Sequence, residues 1–310
     1  MPKKILITGS TGMVGKNLIT LLCNNKNYNL ITPTRSELDL NNFNNIKNYF
    51  LYHKPDVIIH LAARVGGIQA NINHPTEFLT ENLSIGLNVI TAAKECKITQ
   101  FINISSSCVY PRNRELLAET DILTGELEPT NEGYALAKIS AMRLCEYINK
   151  QYHYQYKTLI PPNLYGPYDN FSLTNGHLIP AMLRKLHEAK INNSDVVIWG
   201  DGHARREFLY VEDFVAFIVF SIEHLSELLS SVNIGLSHDY SINDYYQAAA
   251  KVVGFNGNFT HDLSKPVGMK KKLLDSRVAE KLGWRASTSL HGGLTKTYQY
   301  YLENKINGND

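Results

Sequence analysis

The segment Asn131-Glu-Gly-Tyr134-Ala-Leu-Ala-Lys138 sets a phenol and an amine four residues apart. On a helix that spacing puts both side chains on one face. A phenol titrates near about 10 in water, so it works as an acid near neutrality only if a nearby cation stabilises the phenolate. A lysine one turn away supplies that cation and also reaches a ribose hydroxyl. By itself the pair is a common coincidence of surface helices, but Ser105-Ser106-Ser107-Cys108-Val109-Tyr110 changes its meaning. This run ends an apolar segment read as a strand over 100–105, and the carboxyl ends of parallel strands are where such sheets bind ligands. Ser106 is suited to hydrogen-bond a carbonyl oxygen and polarise it. Ser106, Tyr134 and Lys138 together read as a site that delivers a proton to a carbonyl.

Gly9-Ser-Thr-Gly12-Met-Val-Gly15 has the spacing G-x-x-G-x-x-G, directly after a short apolar strand (5–7) and at the start of a helix (14–23). Glycines there permit a tight turn and close backbone approach to a pyrophosphate, while the helix N-terminus offers N–H groups and a positive dipole. In NAD-specific folds an acidic residue about 20 residues on binds the ribose 2′-hydroxyl. Here Thr32-Pro-Thr-Arg35-Ser36 holds no carboxylate and offers Arg35. A guanidinium suits a 2′-phosphate, so NADP is preferred over NAD. Asp39, slightly later, is placed to contact the adenine side.

The elements that must position these groups alternate in type. Strands are expected over 29–32, 56–61, 100–105 and 156–164, the last interrupted by Pro161 and Pro162. Helices are expected over 42–53, 76–96 and 131–151. Apolar strands alternating with amphipathic helices imply a parallel sheet covered on both faces. Beyond Gly166 come a loop, a helix over 178–190 and a short strand over 196–199. Segments 207–211 and 232–235 read as strands returning to the sheet, and the chain from His238 on reads as mostly helical and irregular. The expected fold is α/β: a Rossmann-type doubly wound parallel sheet with a smaller C-terminal α/β substrate lobe. Residues 1–165 plus 207–237 are assigned to the first, and 166–206 plus 238–310 to the second.

The 310 residues suffice for two cooperating lobes, and the formal charge of +2 gives no reason to expect a nucleic-acid or membrane partner. Four cysteines, Cys23, Cys96, Cys108 and Cys145, form no C-x-x-C pair, so no metal site is expected. No signal peptide and no apolar run of about 18 residues is present. A cytoplasmic protein with free thiols is expected.

The glycine loop, Ser106, Tyr134 and Lys138, together with Asn82, resemble the extended short-chain dehydrogenase/reductase family. Over nearly the whole chain the resemblance narrows to the GDP-L-fucose synthases. It is carried by His60-Leu-Ala-Ala-Arg-Val-Gly66-Gly67-Ile68, Ser106-Ser107-Cys108-Val-Tyr-Pro111, Glu128-Pro-Thr-Asn-Glu132, Asn163-Leu-Tyr-Gly-Pro167, Asp169-Asn170-Phe171, Arg206-Glu-Phe-Leu, Val197-Ile-Trp199-Gly200 and Lys272-Leu-Leu-Asp275. The resemblance implies a GDP-linked 4-keto-6-deoxy sugar, epimerised at C3 and C5 and reduced at C4 with NADPH. It implies Cys108 and His177 as the acid–base pair. It also implies cofactor contacts from Gly9, Thr11, Gly12, Met13, Val14, Gly15, Arg35, Asp39, Leu40, Ala62, Ala63, Lys138, Pro161, Asn163, Leu164 and His177. Lys185, Arg206 and Lys272 are implied for the diphosphate, Trp199 for stacking on guanine, and Asp275 for the nucleoside. A homodimer through the helices 76–96 and 131–151 is implied as well.

The chemistry of the residues agrees with that pairing. A 4-ketone acidifies the protons on C3 and C5, and epimerisation needs one group to remove a proton and another to return one on the opposite face. Thiol and imidazole are both tunable to neutral pH. Three departures stand out: Thr11 where the family carries an arginine, altered basic residues at Arg64 and Lys185, and Gly133 where a proline is usual. The last implies a looser start to the catalytic helix. Two alternatives remain: a C4 reductase of a related GDP-4-keto-6-deoxy sugar such as a heptose, with little or no epimerisation, and a catalytically silent NADP-sensing protein of the same fold.

Overall fold

The computed structural model describes residues 1–173, 176–265 and 269–306. Strand β1 (Lys3–Thr8) forms around Ile5, Leu6 and Ile7, which have no exposed surface on either face. Then follow α1 (Met13–Leu22), β2 (Tyr28–Ile31), α2 (Phe43–His53), β3 (Val57–His60), the short α3 (Ile68–Asn73), α4 (Pro75–Glu95) and β4 (Gln100–Ile104). The first half closes with β5 (Leu116–Leu117), α5 (Glu132–Tyr152), β6 (Gln155–Ile160) and β7 (Asn163–Tyr165). The second half runs α6 (Leu178–Asn192), β8 (Val196–Trp199), β9 (Arg205–Arg206), β10 (Phe208–Tyr210), α7 (Val211–Glu223), β11 (Ser231–Asn233) and β12 (Tyr240–Ser241). It ends with α8 (Ile242–Val253), β13 (Phe259–Asp262), β14 (Lys271–Leu274), α9 (Arg277–Lys281) and α10 (Leu290–Ile306).

Six strands form one sheet in the order β11-β6-β4-β3-β1-β2, every neighbouring pair parallel. From β1 the chain steps to β2 on one side and then to β3 on the other, so the direction of winding reverses at β1. The crevice at such a reversal is the expected ligand site. One face of the sheet packs Ile5, Ile59 and Ile102 against Leu18 of α1 and Phe214 and Phe217 of α7. The other packs Leu6, Ile58 and Phe101 against Phe50 of α2, Val89 and Ile90 of α4 and Cys145 of α5. This is the doubly wound arrangement that the alternation of elements implies.

A separate apolar core joins Ile179 and Leu183 of α6, Ile198 of β8, Tyr245 of α8 and Leu294 of α10. Phe208 and Tyr210 of β10 belong to this core, whereas Ala279 of α9 packs with the central sheet. The 156–164 strand is divided at Pro161-Pro162. β6 stays in the main sheet, while β7 leaves it to pair with β10 in a two-stranded sheet. The prolines offer no N–H to a ladder, which ends the pairing there. The expected return of 207–211 to the central sheet therefore does not hold, because β10 spends its ladder bonds on β7. Of 232–235, β11 does join, beside β6. Downstream of His238 three short strands (β12, β13, β14) lie in what read as mostly helical chain, and α3 lies between the expected strand 56–61 and helix 76–96, where no element is expected. Among the described residues no helix is long and apolar enough to cross a membrane.

The β1–α1 turn is fixed by close backbone contacts. Gly9 sits at φ 70°, the left-handed region, and Gly12 N–H donates to its carbonyl at 3.1 Å. A Cβ on Gly15 would lie 2.4 Å from the Gly9 oxygen, a backbone atom that can move only by opening the turn. Gly15→Ala is accordingly expected to cost about 1–3 kcal/mol through overpacking, read as a lower Tm in thermal denaturation. An unchanged Tm would mean that the turn has slack these contacts do not show.

Candidate active site

The turn above delivers Gly12 as N-cap of α1, so no N-cap side chain accepts from the first N–H groups, at Met13, Val14 and Gly15. Thr11 and Gly12 are exposed. Behind the turn, Thr8 Oγ1 lies 2.7 Å from His60 Nδ1 and accepts weakly from Ala62 N–H at 3.4 Å. Burial, with Lys138 nearby, pushes the His60 imidazole down to about 3, so it is a neutral strut and not a titrating group. Ala62 and Ala63 continue from β3 into the crevice. The loop is held there by Asn82 of α4, which accepts from Arg64 N–H at 2.8 Å and donates to Arg64 C=O at 3.0 Å.

At the end of β2 the acid question has an answer that composition hid. Glu37 lies just beyond Arg35, but its carboxylate accepts from Thr34 N–H at 2.7 Å and Thr34 Oγ1 at 2.8 Å. Those bonds hold the carboxyl below its ordinary range. Arg35 is exposed. Asp39 caps the Asn41 N–H at 3.0 Å, and the Leu40 carbonyl accepts from Asn88 of α4 at 3.1 Å. Pro161 lies in the β6–β7 break, and Asn163 and Leu164 open β7.

Ser106, Cys108, Tyr134 and Lys138 converge where β4 meets α5. Ser106 is extended (φ −156°, ψ 154°) and its Oγ accepts from Cys108 N–H at 3.4 Å, capping a single 3-10 turn over Ser107–Val109. That turn keeps the hydroxyl and the thiol on adjacent positions. Tyr134 and Lys138 share a face of α5, the lysine Nζ lying 5.7 Å from the tyrosine ring centre. Lys138 is only 8% exposed, and its ammonium donates to the Ile104 carbonyl at 2.9 Å, at the end of β4. Burial pushes it down to about 8, with Cys108 pulling the other way. Burial and the Cys108 sulfur push the Tyr134 phenol up, so it rests protonated, the form that donates. Burial also raises the Cys108 thiol, opposed by Lys272, the Ser106 hydroxyl and Lys138. At Gly133, where a looser helix start was expected, α5 already begins at Glu132. A Cβ at Gly133 would meet the Pro75 carbonyl oxygen at 2.9 Å, so the glycine lets α4 and α5 approach.

The cations of segments 166–206 and 238–310 form two groups. Lys272 and Arg206 are register partners in the parallel β14–β9 pair. They line a small cleft with Ser107, Pro162, Asn163 and Glu207, on the Cys108 side. Burial lowers the proton affinity of both, opposed at each by Glu128. Lys185 of α6 and Trp199 of β8 lie apart from them. The Lys185 ammonium donates to Val197 C=O at 2.6 Å, and Lys265 Nζ sits 5.6 Å from the centre of the exposed Trp199 ring. The Asp275 carboxylate is gripped by the Arg277 guanidinium at 2.9 and 3.0 Å from Nε. His177 is the N-cap of α6, part-exposed, with Nδ1 4.0 Å from Asp169 Oδ1. Among the described residues its ion-pair partner is Asp169, not a member of the Ser106–Tyr134–Lys138 group.

Sequence reading missed the carboxylates that organise these cations. Glu207, 2% exposed, accepts from the backbone N–H groups of Leu236, Ser237 and Leu274. Its only sequence signal was its place beside Arg206. Burial outweighs the three donors and leaves it pushed up to about 7. Glu128 carried a motif signal but no assigned role.

Residues 5–235 match the model of the NAD dependent epimerase/dehydratase family. The chain is 50% identical over 307 residues to GDP-L-colitose synthase of Yersinia pseudotuberculosis, covering 98% of this chain and 99% of that one. It is 46% identical over 302 residues to GDP-L-fucose synthase of Azorhizobium caulinodans, covering 97% and 96%. Among solved structures it is similar to a GDP-6-OMe-4-keto-L-xylo-heptose reductase from C. jejuni, at TM-score 0.92, 29% identity and 98% of both chains. It is also similar to a GDP-mannoheptose C4 reductase from Campylobacter jejuni with NADP bound, at TM-score 0.89, 30% identity and coverage of 97% and 98%. With the glycine turn, the Ser106–Tyr134–Lys138 group and these matches in agreement, the chain belongs to the NAD dependent epimerase/dehydratase family.

Proposed function

We propose that this chain is an NADPH-dependent oxidoreductase that epimerises C3 and C5 of a GDP-4-keto-6-deoxy-hexose and reduces its C4 ketone, giving GDP-L-fucose. The observation that carries the reading is the Ser106–Tyr134–Lys138 group, its lysine buried, with a cysteine, Cys108, two residues from the serine. The crevice fits NADP: α1 presents an uncapped N-terminus behind a glycine turn, and Arg35 is the exposed cation at the end of β2. Gly9, Thr11, Gly12, Met13, Val14 and Gly15 would hold the pyrophosphate, Arg35 the 2′-phosphate, Asp39 and Leu40 the adenine side. Ala62, Ala63, Pro161, Asn163, Leu164, Lys138 and His177 would line the remainder. When bound, NADPH supplies the hydride that C4 accepts.

The chain's own groups do the rest. Arg206 and Lys272 hold the diphosphate near Cys108, Lys185 adds a further cation, and Trp199 stacks on guanine. Asp275 reaches the nucleoside only by surrendering part of its pair with Arg277. Ser106 donates to the C4 oxygen and polarises the ketone, which acidifies the C3 and C5 protons. Cys108, whose thiolate the Lys272 and Lys138 ammonium groups favour, and His177 remove and return those protons on opposite faces. Tyr134 then protonates the C4 oxygen, and Lys138 stabilises the phenolate until solvent restores it.

We assign residues 1–165 with 207–237 to the cofactor lobe and 166–206 with 238–310 to the sugar-nucleotide lobe. A homodimer in the cytoplasm completes the proposal. Leu83 and Leu87 of α4 and Leu136 and Tyr147 of α5 are exposed apolar side chains on the helices expected to pair.

Turnover of GDP-4-keto-6-deoxy-mannose in heavy water is expected to place deuterium at both C3 and C5. C4 reduction with neither deuterium favours the alternative, a C4 reductase of a related GDP-4-keto-6-deoxy sugar such as a heptose. Tyr134→Phe is expected to lower the steady-state reductase kcat by about 10²–10⁴-fold; full retained activity would overturn the assignment. Lys138 must be charged to steady the phenolate. Burial has moved its titration down to about 8, so kcat/KM is expected to fall as pH rises above about 8. A flat profile to pH 10 would count against that role.

A further inference from the structure

We propose that Asp169 is a positioning residue for His177: its carboxylate takes the Nδ1–H of the imidazole and so presents Nε2 to the substrate. The proposal rests on the reading of His177 as one of the two groups that handle ring protons. It adds a residue on which that reading is silent.

The loop between β7 and α6 is built to bring the two side chains together. Tyr168 takes a left-handed conformation at φ 66°, and Asp169 N–H donates to Gly166 C=O at 3.3 Å. Asp169 Oδ1 then accepts from Asn170 N–H at 2.8 Å, Asn170 Oδ1 from Ser172 N–H at 2.9 Å, and Ser172 C=O from Gly176 N–H at 2.9 Å. These bonds fold the chain back so that Asp169 Oδ1 lies 4.0 Å from His177 Nδ1.

The Asp169 side chain is 5% exposed, yet its Oδ2 has no hydrogen-bond partner among the described residues. A buried carboxylate oxygen without a donor is costly and calls for a reason. The His177 imidazole lies 4.0 Å from the other oxygen, Oδ1, and rotation of the carboxylate brings an oxygen with free lone pairs to its Nδ1. The His177 side chain makes no capping bond to α6, although it occupies the N-cap, and it keeps 39% of its surface exposed. It is thus neither a structural cap nor a core residue. A separation of 4.0 Å is long for a hydrogen bond, but such contacts in substrate-free sites tighten when substrate arrives. The same loop is tied to the cofactor helix: Asn17 of α1 donates to Pro167 C=O at 3.0 Å, and Lys16 Nζ lies 5.1 Å from the Tyr168 ring centre.

A carboxylate on one imidazole nitrogen selects the tautomer, orients the ring and stabilises its cationic form. In the step itself, the enolate's electron pair forms a C–H bond with the Nε2 proton, and the N–H electron pair remains on the imidazole. Asp169 stays a carboxylate throughout, and solvent returns a proton to Nε2 through the exposed edge of the ring.

The test reads the tautomer and the exchange rate separately. Long-range ¹H–¹⁵N spectra of the full chain under alkaline conditions, with His177 assigned by its loss in His177→Gln, are expected to show the Nδ1–H form in the wild type. Asp169→Asn is expected to move it toward Nε2–H, because the amide donates. An Nε2–H wild type overturns the proposal whatever the variant does. In heavy water, Asp169→Asn is expected to slow deuterium exchange at one ring carbon at least about tenfold in kcat, with KM and NADPH affinity little changed and Asp169→Glu partly restoring the rate. Exchange lost in His177→Gln but undiminished in Asp169→Asn overturns only this proposal. Undiminished exchange in His177→Gln overturns the proton-handling role itself.

Discussion

A single buried ammonium sets most of the architecture around the site. Lys138 lies where α5 crosses the end of β4, and its hydrogen bond to the Ile104 carbonyl joins helix to sheet at that point. Moving a charge out of water costs several kcal/mol unless partners recover it, and one carbonyl recovers it only in part. The depressed proton affinity of Lys138 is that shortfall made visible. Tyr134, on the same face of α5, packs against the apolar cluster of Val109, Tyr110, Leu117, Ile139, Met142 and Leu274. A helix held this way has no freedom to rotate, so Tyr134, one turn earlier, is placed by the same contact. The Ser106 turn follows directly from the strand that supplies the carbonyl.

The opposite wall depends on a different buried charge. Arg206 and Glu207 both line the cleft, and the Glu207 carboxylate collects three backbone N–H groups. One of those donors, Leu274, closes β14, the strand that carries Lys272. The two cations thus sit on strands tied together by one carboxylate. Tyr110 extends the tie to the central sheet through its bond to Asn233 at 2.6 Å, and Asn233 in turn donates to Leu117 and Asp275 carbonyls. The geometry between Cys108 and Lys272 rests on this buried polar chain, which has no tolerance for slack in a low-dielectric setting.

What could be read from the amino-acid sequence alone was what is local. The strand–turn–helix around Gly9–Gly15, the i, i+4 relation of Tyr134 and Lys138, and the apolar strands of the main sheet each declare themselves within a dozen residues. Strand pairs such as Lys272 with Arg206, or Phe208 with Asn163, join segments of two to four residues far apart in the chain, too short for any periodicity to register. The prolines at 161 and 162 announced a break but not where the freed strand would go. Glu207 and Asp169 escaped for a related reason. A carboxylate's role is set by which distant backbone donors or rings reach it, and neither composition nor spacing records that.

The end of β2 shows how a correct expectation can rest on an incomplete premise. The preference for a 2′-phosphate came from a stretch, Thr32 to Ser36, without a carboxylate. One does lie at Glu37, a single residue further. Geometry fixes where that carboxylate points. Thr34 donates both its N–H and its hydroxyl to one of its oxygens, Oε2, closing a turn that leaves Arg35 exposed at the tip. The second oxygen keeps its lone pairs, so the acid is held within its own turn and not consumed by it. The same two bonds hold the Arg35 backbone in place, so one short turn sets the directions of both the acid and the base at the end of β2.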